Sequence, residues 1–187
     1  GVGSRGIQNL YTIVETTVNS LKELGAEPFI VSAMGSHGGG TEEGQREVLA
    51  GYGITEERLG VPVVTTVDTV YLGNCANGRP VWFDRAAYEA DLIVPINRVK
   101  LHTDFVGPIQ SGLCKMLVIG LGNHKGCSAV HEEAPEVFAD AIEETARLIL
   151  QKAPVGFGIA ILENAYDKTY AVEAVPAEHL VEREKEL

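Results

Sequence analysis

The sequence predicts an α/β fold, and three observations predict it. Short apolar runs rich in β-branched residues alternate along the chain with longer segments of one-faced helical spacing. Glycine-rich turns separate them. With 45% hydrophobic and 22% charged residues, the 187-residue chain has the composition of a soluble globular protein long enough for one well-buried domain. Strands alternating with helices read as βαβ units, so the expected architecture is a mainly parallel, Rossmann-like sheet with helices on both faces.

The elements follow in order. Leu10, Ile13, Val14, Val18, Leu21 and Leu24 recur on one helical face, and Gly25 stands where a glycine ends a helix. Pro28 to Met34 is a buried-strand candidate that empties into the turn GSHGGG. Thr41 then reads as an N-cap, with Glu42 and Glu43 in the first turn. Further strands are expected at Val61–Val67, Asp91–Ile96 and Phe157–Leu162. A long helix is expected from Pro135 to Lys152, with Val137, Phe138, Ala141, Ile142, Leu148 and Ile149 on one side. Gly1 follows no initiator Met, and EHLVEREKEL reads as a helix caught mid-course. The chain is therefore expected to be a fragment of a larger two-domain protein, with a strand before Gly1. Residues 1–175 would form the N-terminal α/β domain, and 176–187 the helical start of a linker to a missing C-terminal domain.

A formal net charge of −11 argues against nucleic acid and anionic membrane as partners, while leaving room for a local basic pocket. No apolar stretch approaches the roughly 20 residues that span a bilayer. Three cysteines without CxxC spacing favour reduced thiols, and hence a cytoplasmic location.

The chemistry concentrates in two loops and one segment. GVGSRG matches G-x-G-x-x-G, but the acidic residue that a dinucleotide needs at the end of the next strand is replaced by Gly35, Ser36 and His37. A phosphate held by backbone N–H groups and Arg5 competes there with a plain tight turn. GSHGGG lacks the Lys-Ser/Thr of a P-loop, yet its glycines permit close backbone approach to a ligand. In open α/β sheets ligands bind at the carboxyl ends of strands, so GSHGGG and NRVKLHTDF should open on one edge and bring His37 and His102 into one cleft. The bland alternatives are a solvated His37 and a structural His102. Lys115, at the lip of an apolar run, is either a snorkelling side chain or an amine suited to covalent attachment. His131 is either a helix-cap residue or a metal ligand. His124 and Lys125 read as loop residues. His179, Cys114 and Cys127 are left outside the site.

These residues resemble the family of nickel-dependent lactate racemases and their relatives, specifically the N-terminal domain. The resemblance spans most of the chain and is strongest from Gly35 to Gln45 and from Asn97 to His131. It implies a nickel-pincer nucleotide, a pyridinium-3,5-bisthiocarboxylate mononucleotide holding Ni and tethered to a lysine. Ser111-Gly112-Leu113-Cys114-Lys115 is similar to the family's tether segment, with Leu113 in place of its second glycine. His131 follows Lys115 by sixteen residues, the spacing of the family's nickel ligand, and is preferred over His124. The resemblance gives His37 and His102 the proton-transfer roles and assigns Arg5, with Ser4, to the cofactor phosphate. The Gly-x-His turn departs from the family by continuing with glycines instead of Arg-Pro.

The implied reaction is racemisation or epimerisation of small 2-hydroxy acids by reversible hydride transfer. A C–H beside OH and carboxylate is a poor acid, so its removal as hydride, with a base on the hydroxyl, avoids a carbanion. Two bases on opposite sides serve the two enantiomers, each with a pKa near the operating pH. Because separate enzymes make the cofactor, recombinant protein is expected to lack it. Two other readings stay open at this stage. One is a zinc-dependent hydrolase with His37, His102 and His131 on the metal. The other is a non-catalytic phosphate- or nucleotide-binding module.

Overall fold

A computed structural model describes residues 1–3, 6–102 and 105–187; Ser4, Arg5, Thr103 and Asp104 lie outside the described residues. The helices are α1 (Leu10–Glu23), α2 (Glu42–Gly51), α3 (Glu56–Leu59), α4 (Arg85–Tyr88), α5 (Leu113–Lys115), α6 (Asn123–His131), α7 (Phe138–Lys152) and α8 (Leu180–Glu186). The strands are β1 (Ile30–Val31), β2 (Val63–Val64), β3 (Thr69–Asn74), β4 (Pro80–Asp84), β5 (Ile96–Arg98), β6 (Phe157–Glu163) and β7 (Thr169–Pro176).

Local sequence explains several of these directly. α1 buries Leu10, Val14 and Val18, a four-residue spacing that stacks side chains on one face. It ends where Gly25 takes φ +85°, a conformation costly to any residue with a Cβ. Thr41 caps α2, its hydroxyl accepting the Gly44 N–H at 3.1 Å. Pro135–Val137 forms a 3₁₀ turn ahead of α7, so the α-helix proper begins at Phe138.

The sheets correct the expected architecture. Described strands form three small ladders: parallel β1–β2, antiparallel β3–β4, and β5–β6–β7, in which β5 and β6 are parallel and β7 antiparallel. Val2 makes single parallel bridges to Ser32 and to Ile96, linking the first ladder to the third. Among the described residues the result is a mixed α/β protein of small ladders, parallel from β2 through β1, Val2 and β5 to β6, in place of one broad Rossmann-like sheet. Two features account for the difference. Tyr71 and Trp82 pair across a hairpin whose turn contains Asn77 and Gly78, which local chemistry favours over a crossover. Along β7, half-buried and exposed residues alternate from Thr169 to Ala174, the pattern of an antiparallel strand with one face in water. The apolar segment 91–96 pairs regularly only from Ile96, with Ile93 making one bridge to Val155.

Helices do cover both faces. Ile30, Ile159 and Ile161 point into a cluster with Leu10, Val14, Leu49, Ile54 and Leu59 from α1 to α3. Their strand neighbours Val31 and Ala160 point into a second cluster with Leu113, Leu117, Ile142 and Ile149. Alternation along each strand thus splits the core in two. α8 packs against the second cluster and buries Leu180, Val181 and Glu184. None of the described helices is long and apolar enough to cross a membrane.

Candidate functional site

A cavity of about 310 Å³ opens beside the ends of β1 and β5. His37, His102, Lys115 and His131 all line it, so four residues scattered over 95 positions meet in one cleft.

His37 owes its place to a constrained turn. Gly35 N–H donates to the Gly120 carbonyl and His37 N–H to the Met34 carbonyl, both at 3.0 Å. Gly38, Gly39 and Gly40 then follow with φ of 64°, 70° and 67°. Three consecutive left-handed residues are tolerated because none carries a Cβ. The fully buried Gln45 holds this turn from α2. Its Nε2 donates to the Gly35 carbonyl at 3.1 Å, and its Oε1 accepts the Ser32 hydroxyl at 2.6 Å.

His102 lies in the segment after β5, its N–H donating to Gln110 Oε1 at 2.8 Å. Its ring packs on Phe105 with centroids 4.3 Å apart. Phe105 meets Phe138 edge-on at 4.9 Å, and Phe138 meets the His131 ring at 5.1 Å. An aromatic row therefore connects the two imidazoles, although neither phenylalanine lines the cavity itself. The Lys115 ammonium stands 5.5 Å from the centre of the Phe105 ring, within cation–π range. Sequence reading missed Phe105 as a support for His102 and took Phe138 for core alone. A phenylalanine three residues after His102 was the available signal.

Lys115 ends α5, and the chain continues as a π-helical turn over Met116–Gly120. Such turns are uncommon and recur at functional sites. His131 ends α6. Partial desolvation of its ring, and then the Lys115 charge, hold its pKa below the ordinary 6.5. The imidazole is therefore neutral near pH 7, the form that donates a lone pair to a metal. In the folded chain His131 binds its proton less tightly than in the unfolded chain. Its contribution to stability is fully present above pH 6.5 and is lost as pH falls through the lower folded value. An NMR titration of the metal-free protein should place the His131 midpoint below 6.5, and Lys115→Met should raise it. A midpoint at or above 6.5 would contradict this.

Behind His131, the buried Arg79 ties the β3–β4 turn to the α6–α7 junction. It bonds Glu133 at 2.5 Å and Glu144 at 2.7 Å, and donates to the Ala141 carbonyl at 3.3 Å. His124 is exposed on α6 with Ser128 Oγ 3.5 Å from its Nδ1, and does not line the cavity. His179 lies exposed in a 3₁₀ turn before α8. Cys127 lines the cavity, whereas Cys114 is buried in the core; all three cysteines are free thiols. Ser4 and Arg5, expected at a cofactor phosphate, lie outside the described residues.

The cavity's charge opposes that of the chain. Arg98, Lys100 and Lys115 line it, and among the described residues no Asp or Glu does. Arg98 is ion-paired with the buried Glu163, whose Oε1 also accepts the Gln8 N–H at 2.7 Å. The cleft's lining is thus more cationic than the chain's net charge of −11. Among the described residues no three His, Cys, Asp or Glu side chains converge to hold a metal ion. The three-histidine zinc site is therefore not formed.

The sequence matches the lactate racemase N-terminal domain over residues 4–140. No curated protein matches it significantly in sequence. Among solved structures, the lactate racemase apoprotein from Thermoanaerobacterium thermosaccharolyticum superposes with a TM-score of 0.68 at 15% identity. That alignment covers 92% of this chain and 44% of the racemase. A Thermotoga maritima protein superposes with a TM-score of 0.51 at 13% identity, covering 92% of this chain and 56% of that one. At these identities the likeness speaks for the fold. The chain spans about half the length of either structure.

Proposed function

Because the chain belongs to the lactate racemase N-terminal domain family, we propose that it forms most of the active site of a racemase or epimerase of small 2-hydroxy acids. The cofactor in this reading is a nickel-pincer nucleotide tethered to Lys115. The supporting observation is the cleft itself, which gathers two half-buried imidazoles, one amine and a third, neutral imidazole among cations. That donor set suits the group: an amine for covalent attachment, a neutral nitrogen for a divalent metal, and positive charge for a phosphate and a carboxylate.

When bound, the cofactor supplies a hydride acceptor. Lys115 Nζ would anchor it at the junction of α5 and the π-turn, and His131 would hold the nickel. Lys100 would attract an anionic group of the substrate or cofactor, with Arg5 and Ser4 assigned to the phosphate. His37 and His102 stand on separate segments, one after β1 and one after β5. Each takes the hydroxyl proton of one enantiomer and returns it to the 2-oxo form in the reverse direction. The aromatic row from His102 to His131 orients both rings. The substrate and the rest of the protein that closes over the cleft complete this proposal.

The test is intact-mass and metal analysis of the full-length protein co-expressed with cofactor-making enzymes. The protein is expected to carry a mass increment and nickel. Lys115→Ala should abolish the increment, and His131→Ala should lose the nickel while keeping the increment. An unmodified, nickel-free protein under those conditions would overturn the proposal.

A further inference from the structure

The carboxylate of Glu184, from α8, is buried inside the second core cluster at 5% exposure, and no cationic side chain among the described residues pairs with it. It sits at the start of the segment that carries Lys115. The Cys114 N–H donates to its Oε2 at 2.9 Å, and the Leu113 N–H also faces it. These are first-turn donors of α5, which no residue of the local sequence caps, since Gly112 has no side chain. Gly112 is what admits the carboxylate: a Cβ there would lie 2.7 Å from both Cδ and Oε1 of Glu184. Oε1 has no hydrogen-bond partner among the described residues. A buried carboxyl oxygen left bare is costly, so this acceptor is kept beneath α5 at a penalty to the fold.

We infer that Glu184 is a positioning residue for Lys115, capping from 70 residues away the short helix that aims the amine into the cleft. Leu113 and Cys114 are anchored in the core at 1% and 0% exposure, and Met116 N–H bonds back to the Gly112 carbonyl at 3.0 Å. With both sides of the segment pinned, the Cα–Cβ bond of Lys115 is held in one direction, from which the amine reaches the cleft. Loss of the Glu184 acceptor frees the first-turn amides and lets the segment start rotate. The inference rests on Lys115 being the tether proposed above. It also makes α8 part of the site's construction, although no α8 residue lines the cavity.

The experiment compares Glu184→Leu, which keeps volume and removes the acceptor, with Glu184→Gln, which restores one. Two readouts are taken on the full-length protein. One is the fraction of Lys115 carrying the cofactor mass increment after co-expression. The other, in cofactor-free protein, is the acetylation rate of Lys115 by acetic anhydride relative to Lys125, measured by peptide mass spectrometry. Glu184→Leu should cut loading roughly tenfold and shift the acetylation ratio severalfold, while Glu184→Gln stays within about twofold of wild type on both. A folded Glu184→Leu protein with both readouts unchanged overturns the inference. So does Glu184→Gln behaving like Glu184→Leu. If Glu184→Leu does not fold, Glu184→Asp decides, because its carboxylate is retained but withdrawn by one methylene. A changed acetylation ratio supports the inference, and an unchanged one overturns it. Should wild type gain no mass increment, the proposed function fails, yet the acetylation ratio still reports on Glu184.

Discussion

Under the proposed function, His37→Gln is expected to lower racemisation by about 10²–10⁴-fold, the usual worth of a positioned general base, and His102→Gln by a similar factor. Overall rates will not separate their roles. Enantiomers have equal free energy, so removing either base slows both directions equally. The half-reaction separates them. On acid quench of cofactor-loaded enzyme, one enantiomer should still yield its 2-oxo acid in His37→Gln, and only the other should do so in His102→Gln. Glutamine preserves size and a hydrogen-bonding end while losing basicity, so cavity shape is largely unchanged. Each ring is also held independently of the other. His37 is set by the glycine turn and Gln45, and His102 by Gln110 and Phe105. Equal yields from both enantiomers in both variants would sink the assignment of one base to each face.

The second large effect is on stability. Gly44→Ala lies inside α2, where replacing glycine by alanine ordinarily stabilises by about 1 kcal/mol. Here the sign should reverse. A Cβ at Gly44 would lie 1.9 Å from the Gly38 carbonyl oxygen and 3.0 Å from Thr41 Oγ1. The Gly38 atoms are backbone and cannot swing aside, so either the turn or the helix start must move. Overpacking of this kind costs about 1–3 kcal/mol, and disturbing the Thr41 cap adds about 1 kcal/mol. Together they exceed the propensity gain, for a net loss of about 2 kcal/mol. His37 is next to Gly38, so the same variant should lose activity beyond its loss of stability. Gly51, at the far end of α2, serves as the control, because a Cβ there would meet nothing within 4 Å. Gly51→Ala should be neutral or stabilising by about 0.4–1 kcal/mol. Urea unfolding midpoints measure both. A Gly44→Ala midpoint at or above wild type would show that α2 does not press on the His37 turn.

Much of the secondary structure was legible because its causes are local. α1 matches the helix read from Leu10, Val14 and Val18 to within one residue, Thr41 caps α2, and β6 starts at Phe157 as expected. The β3–β4 hairpin also left a trace in Asn77-Gly78 between Tyr71 and Trp82, which a period-two reading would have found. The π-turn left none, because MLVIG suits a strand or a helix equally.

For the candidate site, residue type, spacing and the family resemblance pointed to His37, His102, Lys115 and His131, and all four line one cavity. What those residues are held by was not legible. Gln45 under the His37 turn, Phe105 and Phe138 between two histidines, Arg79 behind His131 and Glu184 beneath Lys115 are ordinary residues in ordinary helices and loops. Their importance arises from contacts made across the fold, between segments whose local sequences carry no mark of one another. Which side chains can do chemistry is written in the chain, because reactivity belongs to the side chain. Where each one points is settled in the folded molecule alone, because direction is set by hydrogen bonds and packing that exist once distant segments meet.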